Sequence, residues 1–312
     1  MNKNNKRNRK YYYLKKDGGN MFFRTDLAVE RREIFKRANR INSEIDGIKI
    51  ETKNLNDIKV TNVKIENEKG AEALKRKIGN YITIDLDTIN NLSLEKEKEV
   101  IQVFSDELKM IIDQHIDKRD EILIVGLGNL NATPDSFGAK VVENIEITRH
   151  IKMFLPNAID KTVRSVSAIV PGVLGTTGIE TIEIVKGITN NIKPKLIIAI
   201  DSLCSKNIDR IGKSIQISDT GIVPGGGVGN RQEELSEETL GIPVVGVGIP
   251  TVLDAATIVI DTLNNCDIQI NEDELVNKMK LNKFNFIVTP KEIDSLIEKI
   301  TTIVSEGINM SF

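Results

Sequence analysis

From residue 121 onward, short uninterrupted apolar runs alternate with stretches of helical spacing. EILIV at 121–125, SVSAIV at 165–170, KLIIAI at 195–200, SIQIS at 214–218 and PVVGVG at 243–248 read as strands. A strand that is apolar at every position has to be covered on both faces, and parallel neighbours need a crossover, usually a helix, between them. Helical spacing over 136–150, 177–188 and 251–264 supplies such crossovers. A terminal helix over 290–305 has Thr289 as N-cap and Pro290 at its first position. The expected fold class is therefore α/β, a mostly parallel central sheet with helices on both faces. Upstream, 26–42 reads as a charged helix and 47–65 as two strands around a turn. YITIDLDTI at 81–89 is a further strand, and 93–116 is a helix with its stripe on Val100, Ile101, Phe104, Leu108 and Ile112. No Pro/Gly/Ser linker separates this mixed α+β portion from the rest, so a single domain over 27–312 is expected, with 27–120 peripheral and 121–312 the sheet core.

Composition excludes several classes. No run approaches the roughly 18–20 apolar residues that span a bilayer, and no apolar segment follows the basic N-terminus as a secretory signal requires. The two cysteines, Cys204 and Cys266, form neither a disulfide framework nor a ligand cluster, which fits a reducing, cytosolic interior. The net charge of −2 hides an asymmetry: the first nineteen residues carry seven Lys/Arg against Asp17, so the remainder is near −8. An acidic body argues against nucleic acid as the main ligand, and the basic arm reads as a solvated or removable leader.

In such a sheet, functional groups gather where the chain leaves the carboxyl ends of strands. Four loops qualify: GLGNLNATPDSFG after EILIV, PGVLGTTGIE after SVSAIV, DSLCSKN after KLIIAI, and the glycine-rich SDTGIVPGGGVGNRQEELSEE. Gly126 and Gly128 begin a dinucleotide fingerprint, but Asn131 stands where the third glycine belongs, Glu146 falls inside a predicted helix, and no G-K-[ST] follows. PGGGVGN lacks a preceding buried strand and reads as a mobile surface turn. His115 and His150 are the only histidines, each at a predicted helix end, and they share no ligand spacing, so neither a metal nor another cofactor is expected. There is no G-x-S-x-G, and Cys204 has no histidine in a comparable loop, leaving it as a small buried residue. Carboxylates remain. Asp135 lies in the turn after the first core strand, stiffened by Pro134, and Asp201 follows LIIAI. Two aspartates brought to one crevice share a proton, so that one activates water while the other protonates the leaving amine. Each could equally cap the helix that follows it, and spacing does not choose between these readings.

The chain resembles a known family, the germination or spore proteases of spore-forming Gram-positive bacteria. The resemblance rests on FRTDLAVE at 23–30, VGLGNLNATPDSFG at 125–138, VPGVLGTTGIET at 170–181, IAIDSLCSK at 198–206, SIQISDTGIVPGGGVGN at 214–230 and GIPVVGVGIPTVLDAATI at 241–258. It implies a homotetrameric endopeptidase of the spore core that degrades small acid-soluble, DNA-protecting proteins at germination. It implies a fold similar to hydrogenase-maturation peptidases, and no direct contact with nucleic acid or membrane. Asp135 and Asp201 match the family's proposed catalytic aspartates. Its substrates are cut after an acidic residue, before a hydrophobic residue followed by Ala, in a motif ending in Glu. T-D-L-A-V-E at 25–30 matches that motif, so residues 1–26 would be a propeptide removed by self-cleavage between Asp26 and Leu27, leaving 27–312 as the catalytic domain. Arg149, Arg164, Lys206, Arg210 and Arg231 are candidate contacts for an acidic substrate. Gly172, Gly175 and Gly178 are candidates for close approach to substrate backbone. Gly126, Gly128 and Asn129 would present Asp135 and place amides near a developing oxyanion. The alternatives are a metal-dependent maturation-type peptidase and a non-hydrolytic nucleotide- or nucleic-acid-binding module.

Overall fold

A computed structural model describes residues 25–86, 89, 92–225, 232–266, 268, 274–275, 278–279 and 286–312. Within them the chain runs α1 (Ala28–Asn39), β1 (Ile48–Leu55), β2 (Ile58–Ile65), α2 (Glu68–Leu74), β3 (Gly79–Asp85), α3 (Leu94–His115), β4 (Ile122–Gly126), α4 (Phe137–Val142) and α5 (Arg149–Phe154). It continues through β5 (Val166–Ile169), α6 (Leu174–Thr177), α7 (Thr181–Ile192), β6 (Leu196–Ser205), β7 (Ser214–Ser218), α8 (Glu237–Leu240), β8 (Val244–Asp254), α9 (Ala255–Asn265), β9 (Ile287–Val288) and α10 (Ile293–Met310).

The strands form one sheet in the order β1-β2-β3-β7-β8-β6-β4-β5, with β9 paired to the end of β8. The α/β expectation holds, and its parallel part is the set β5, β4, β6 and β8. From β8 outward, β7, β3, β2 and β1 pair antiparallel, so the N-terminal strands extend the core sheet itself. The central strands β6 and β8 are buried almost end to end, as continuous apolar runs require. The outermost β1 exposes a polar face of Lys, Glu, Thr and Asn, which keeps a free edge from pairing with another chain. Asn56 and Asp57, both at positive φ, make the two-residue turn that joins β1 to β2.

On one face, α3, α4 and α10 cover the sheet. Phe104, Leu108 and Ile112 of α3 meet Ile297, Ile300 and Ile308 of α10 over Ile124, Ile198 and Val247. On the other face, α7 packs Ile182 and Val185 on Leu123, Ile197 and Ala199. Leu27 to Val29, at the head of α1, pack with Leu74 of α2 over Val63, Ile65, Tyr81 and Leu203. Among the described residues no helix is long and apolar enough to cross a membrane.

Several boundaries differ from expectation. The helix read over 136–150 breaks into α4 and α5, which puts His150 in the first turn of α5; the break is bridged by Asn309 of α10, which donates to the Asn144 carbonyl at 3.1 Å and accepts from the Glu146 amide at 3.0 Å. The helix read over 251–264 starts at Ala255, because residues 250–253 continue β8 beside β6. Thr289 does not cap α10, which begins at Ile293; its hydroxyl donates to the Thr251 carbonyl. α2 was not foreseen; Asn67 caps it by accepting from the Gly70 amide.

Candidate active site

The site forms where β4 stops and its neighbour β6 continues. Gly126, the last residue of β4, pairs with Ile200, and β6 runs five residues further. Asp201 is therefore not in a loop after a strand, as its sequence context implied; it sits inside β6, opposite Gly248 of β8. The chain leaving β4 folds over this exposed stretch: the Leu127 amide donates to the Ile200 carbonyl at 2.8 Å. A side chain on Gly126 would meet the Gly138 carbonyl oxygen at 2.3 Å, so only glycine allows the loop to close on α4. Gly128, at φ +101°, lies against Asp135, whose carbonyl accepts from the Asn129 amide at 2.9 Å. Thr133–Asp135 form one 3-10 turn, held to β8 by Thr251, whose hydroxyl donates to the Pro134 carbonyl at 2.7 Å.

Neither aspartate caps a helix. The N-cap position of α4 is Ser136, without a side-chain capping bond, and Asp201 precedes further strand. Asp201 is 1% exposed; its carboxyl accepts from the Ser202 amide at 2.8 Å and from Gly225 at 3.3 Å. Burial pushes it well above the usual carboxylate range. The charge of Asp135 adds to that, the two amides oppose it, and Asp26 raises it further. Asp135 is less buried, and burial lifts it to about 6 against the lowering pull of the Asn129 amide. The two carboxyls thus sense each other, and the more deeply buried one holds its proton longer.

Asp26 belongs to the same neighbourhood. Thr25 to Leu27 precede α1, with Leu27 in an extended conformation. The Asp26 amide donates to the Cys204 carbonyl at 2.8 Å, and the Asp26 carboxylate accepts from the Cys204 amide at 2.9 Å. The Asp26 carbonyl accepts from the Arg76 guanidinium at 2.5 Å and from Gln216 Nε2 at 3.1 Å. Leu27 is fully buried. Glu30, 2% exposed, accepts from the Ser205 hydroxyl at 2.6 Å and from the Lys206 and Asn207 amides at 2.7 and 3.2 Å, with Arg210 at 3.9 Å. Asp26, Arg76, Leu203, Gln216 and Gly248 line a groove of about 840 Å³ on this face of the sheet.

Of the other candidates, Lys206 and Arg210 hold Glu30, the last residue of the T-D-L-A-V-E motif. Arg149 and Arg164 lie at the opposite, amino end of β4, where Arg149 pairs with Glu121 and Arg164 donates to the Asp117 and Asp120 carbonyls. They are supports of the fold there and do not join the site. Gly172, Gly175 and Gly178 lie in and around α6, with Gly172 and Gly178 at positive φ. Arg231 lies outside the described residues. Arg76, Gln216 and Gly225 escaped sequence reasoning. Gln216 carries one visible signal, a polar residue in the middle of a strand that is buried throughout. Gly225 lies near the start of the segment read as a surface turn, of which 226–230 lie outside the described residues; it follows the buried strand β7, and its amide reaches the Asp201 carboxyl. Among the described residues, no three His, Cys, Asp or Glu side chains cluster closely enough to hold a metal ion.

Comparison with known proteins gives the family. Residues 25–281 match the family model described as germination protease. The chain is 42% identical to the germination protease of Clostridium tetani, covering 93% of this chain and 95% of that protein. It is 46% identical to that of Clostridium perfringens strain SM101 over 92% and 94%, and 35% identical to that of Bacillus cytotoxicus over 92% of each. Among solved structures, a [NiFe] hydrogenase maturation protease, HycI from Thermococcus kodakarensis KOD1, is similar over 64% of this chain and 98% of its own, with a TM-score of 0.32 and 17% identity. The family match over most of the chain, together with these identities, makes the chain a member of the germination protease family.

Proposed function

We propose that this chain is a self-processing, aspartic-type endopeptidase that removes its own first 26 residues and then starts the breakdown of small acid-soluble spore proteins at germination. The observation that carries this reading is that β6 holds Asp201 and, three residues on, pairs through Cys204 with Asp26, while the turn leaving β4 carries Asp135 over the same stretch. The charges of Asp135 and Asp26 both act on Asp201, and Asp26 is the residue before the expected scissile bond. Protonated Asp201 serves as the acid, and Asp135, which ionises near pH 6, serves as the base that activates water. Substrates are cut after Asp or Glu and before a hydrophobic residue followed by Ala, the pattern that Asp26, Leu27 and Ala28 present in the docked segment.

The test is the mass and N-terminal sequence of purified full-length chain after incubation in mildly acidic buffer. Wild type is expected to begin at Leu27, while Asp135→Asn and Asp201→Asn stay intact. A chelator should leave the rate unchanged. Cleavage of both variants at the wild-type rate removes the aspartate pair from the mechanism, and loss of wild-type cleavage with chelator favours a metal-dependent peptidase.

A further inference from the structure

Two side chains outside the carboxylate pair converge on the carbonyl that this reaction attacks. Arg76, in the turn after α2, and Gln216, in the middle of β7, both donate to the Asp26 carbonyl oxygen, at 2.5 and 3.1 Å. The Gln216 amide is oriented as well as placed: its Oε1 accepts from the Ala28 amide at 2.8 Å, so one side chain grips the backbone on both sides of the Asp26–Leu27 bond. Arg76 also lies 3.8 Å from the Asp26 carboxylate, so its charge faces both the acidic side chain and the carbonyl. Preorganised donors aimed at a carbonyl oxygen stabilise the charge that builds there when the carbon is attacked.

We propose that Arg76 and Gln216 form the oxyanion-stabilising pair for cleavage at Asp26–Leu27, an inference that rests on the self-cleavage reading. The oxygen of a water molecule bonds to the Asp26 carbonyl carbon while one water proton passes to the Asp135 carboxylate. The carbonyl π pair moves to oxygen, where Arg76 and Gln216 hold the negative charge. The proton on Asp201 then passes to the Leu27 nitrogen, and the carbon–nitrogen bond breaks with its pair remaining on nitrogen. Asp26 is left as a carboxylic acid and Leu27 as a free amine, and the proton held by Asp135 restores Asp201.

The test is a time course of self-cleavage by intact mass, with thermal unfolding recorded for every variant. Gln216→Glu keeps the acceptor for Ala28 but loses the donor; Gln216→Leu guards against the effect of added charge. Arg76→Met removes the guanidinium, and Arg76→Lys keeps its charge. Gln216→Glu, Gln216→Leu and Arg76→Met are expected to cut on the order of 100-fold more slowly at unchanged Tm, with Arg76→Lys in between. Arg76→Met should slow an Asp26→Asn chain by a similar factor, which separates carbonyl stabilisation from recognition of the acidic side chain. Wild-type rates in the Gln216 and Arg76 variants, with Asp135→Asn still intact, overturn the inference and leave the dyad standing. Slowing that tracks a fall in Tm overturns it as a structural effect. Cleavage of Asp135→Asn and Asp201→Asn at the wild-type rate overturns the underlying reading, and this inference with it.

Discussion

Asp135 and Asp201 are the same side chain in two environments, and burial makes them different acids. Asp201 is closed inside the sheet while Asp135 keeps part of its surface in water, so the first proton to leave the pair leaves Asp135, near pH 6. Self-cleavage should therefore rise through about pH 6 as Asp135 ionises and fall again at the higher pH where Asp201 loses its proton. A rate that is flat across pH 6 would contradict these roles. The same shift has a cost in stability. In the unfolded chain an aspartate ionises near pH 3.9. Below that pH both states are protonated and the group is neutral to folding. Between there and about 6 the unfolded state ionises first, so folding loses stability as pH rises, and the loss is complete above the folded value. Asp135→Asn removes this penalty. After allowance for partial exposure, it should stabilise the protein by about 1–2 kcal/mol at pH 7 and not at pH 3.5, read by urea unfolding at both.

Unequal strand lengths build the site. Because β4 ends at Gly126 while β6 continues to Ser205, the turn that carries Asp135 can lie over Asp201, and Gly128 makes that turn possible. A methyl group at Gly128 would stand 1.9 Å from the Asp135 carbonyl oxygen, at a φ that residues with a side chain rarely adopt. Gly128→Ala is expected to lower stability by roughly 2 kcal/mol and to cut self-cleavage well beyond that loss, because the turn has to move and takes Asp135 with it. Wild-type cleavage by Gly128→Ala would show that the position of Asp135 does not depend on this turn. The glycine was visible in the sequence as half of a G-x-G; its task of receiving a backbone carbonyl from seven residues on was not. The T-D-L-A-V-E motif was legible in the same partial way. Its match to a cleavage site needed only the residues, whereas the Ser205, Lys206 and Asn207 donors that hold Glu30 come from β6 and its exit and have no local signature.

At the scale of the whole molecule, large apolar side chains remain exposed at the end of α5 and on the residue that follows it, near the edge strand β5. Met153, Phe154 and Leu155 are 55%, 76% and 61% exposed. A homotetramer, which the family resemblance leads one to expect, requires such surfaces, and light scattering should give four times 34.8 kDa for the uncut chain. Phe154→Lys should lower that mass; a wild-type protein that runs as one chain would refute the assembly. The sequence alone determined the α/β class and the strands of the core, because continuous apolar runs, helical spacing and turn residues are local properties of the chain. Tertiary structure decided what those signals could not contain. It split the helix read over 136–150 through Asn309, drew residues 250–253 into β8, and set Asp201 inside a strand rather than after one. It also brought Arg76 and Gln216 to one carbonyl from positions 140 residues apart. Each of these outcomes is set by a partner distant in sequence whose hydrogen bond or strand pairing outweighs local preference, and such a partner leaves no mark on the residues it acts upon.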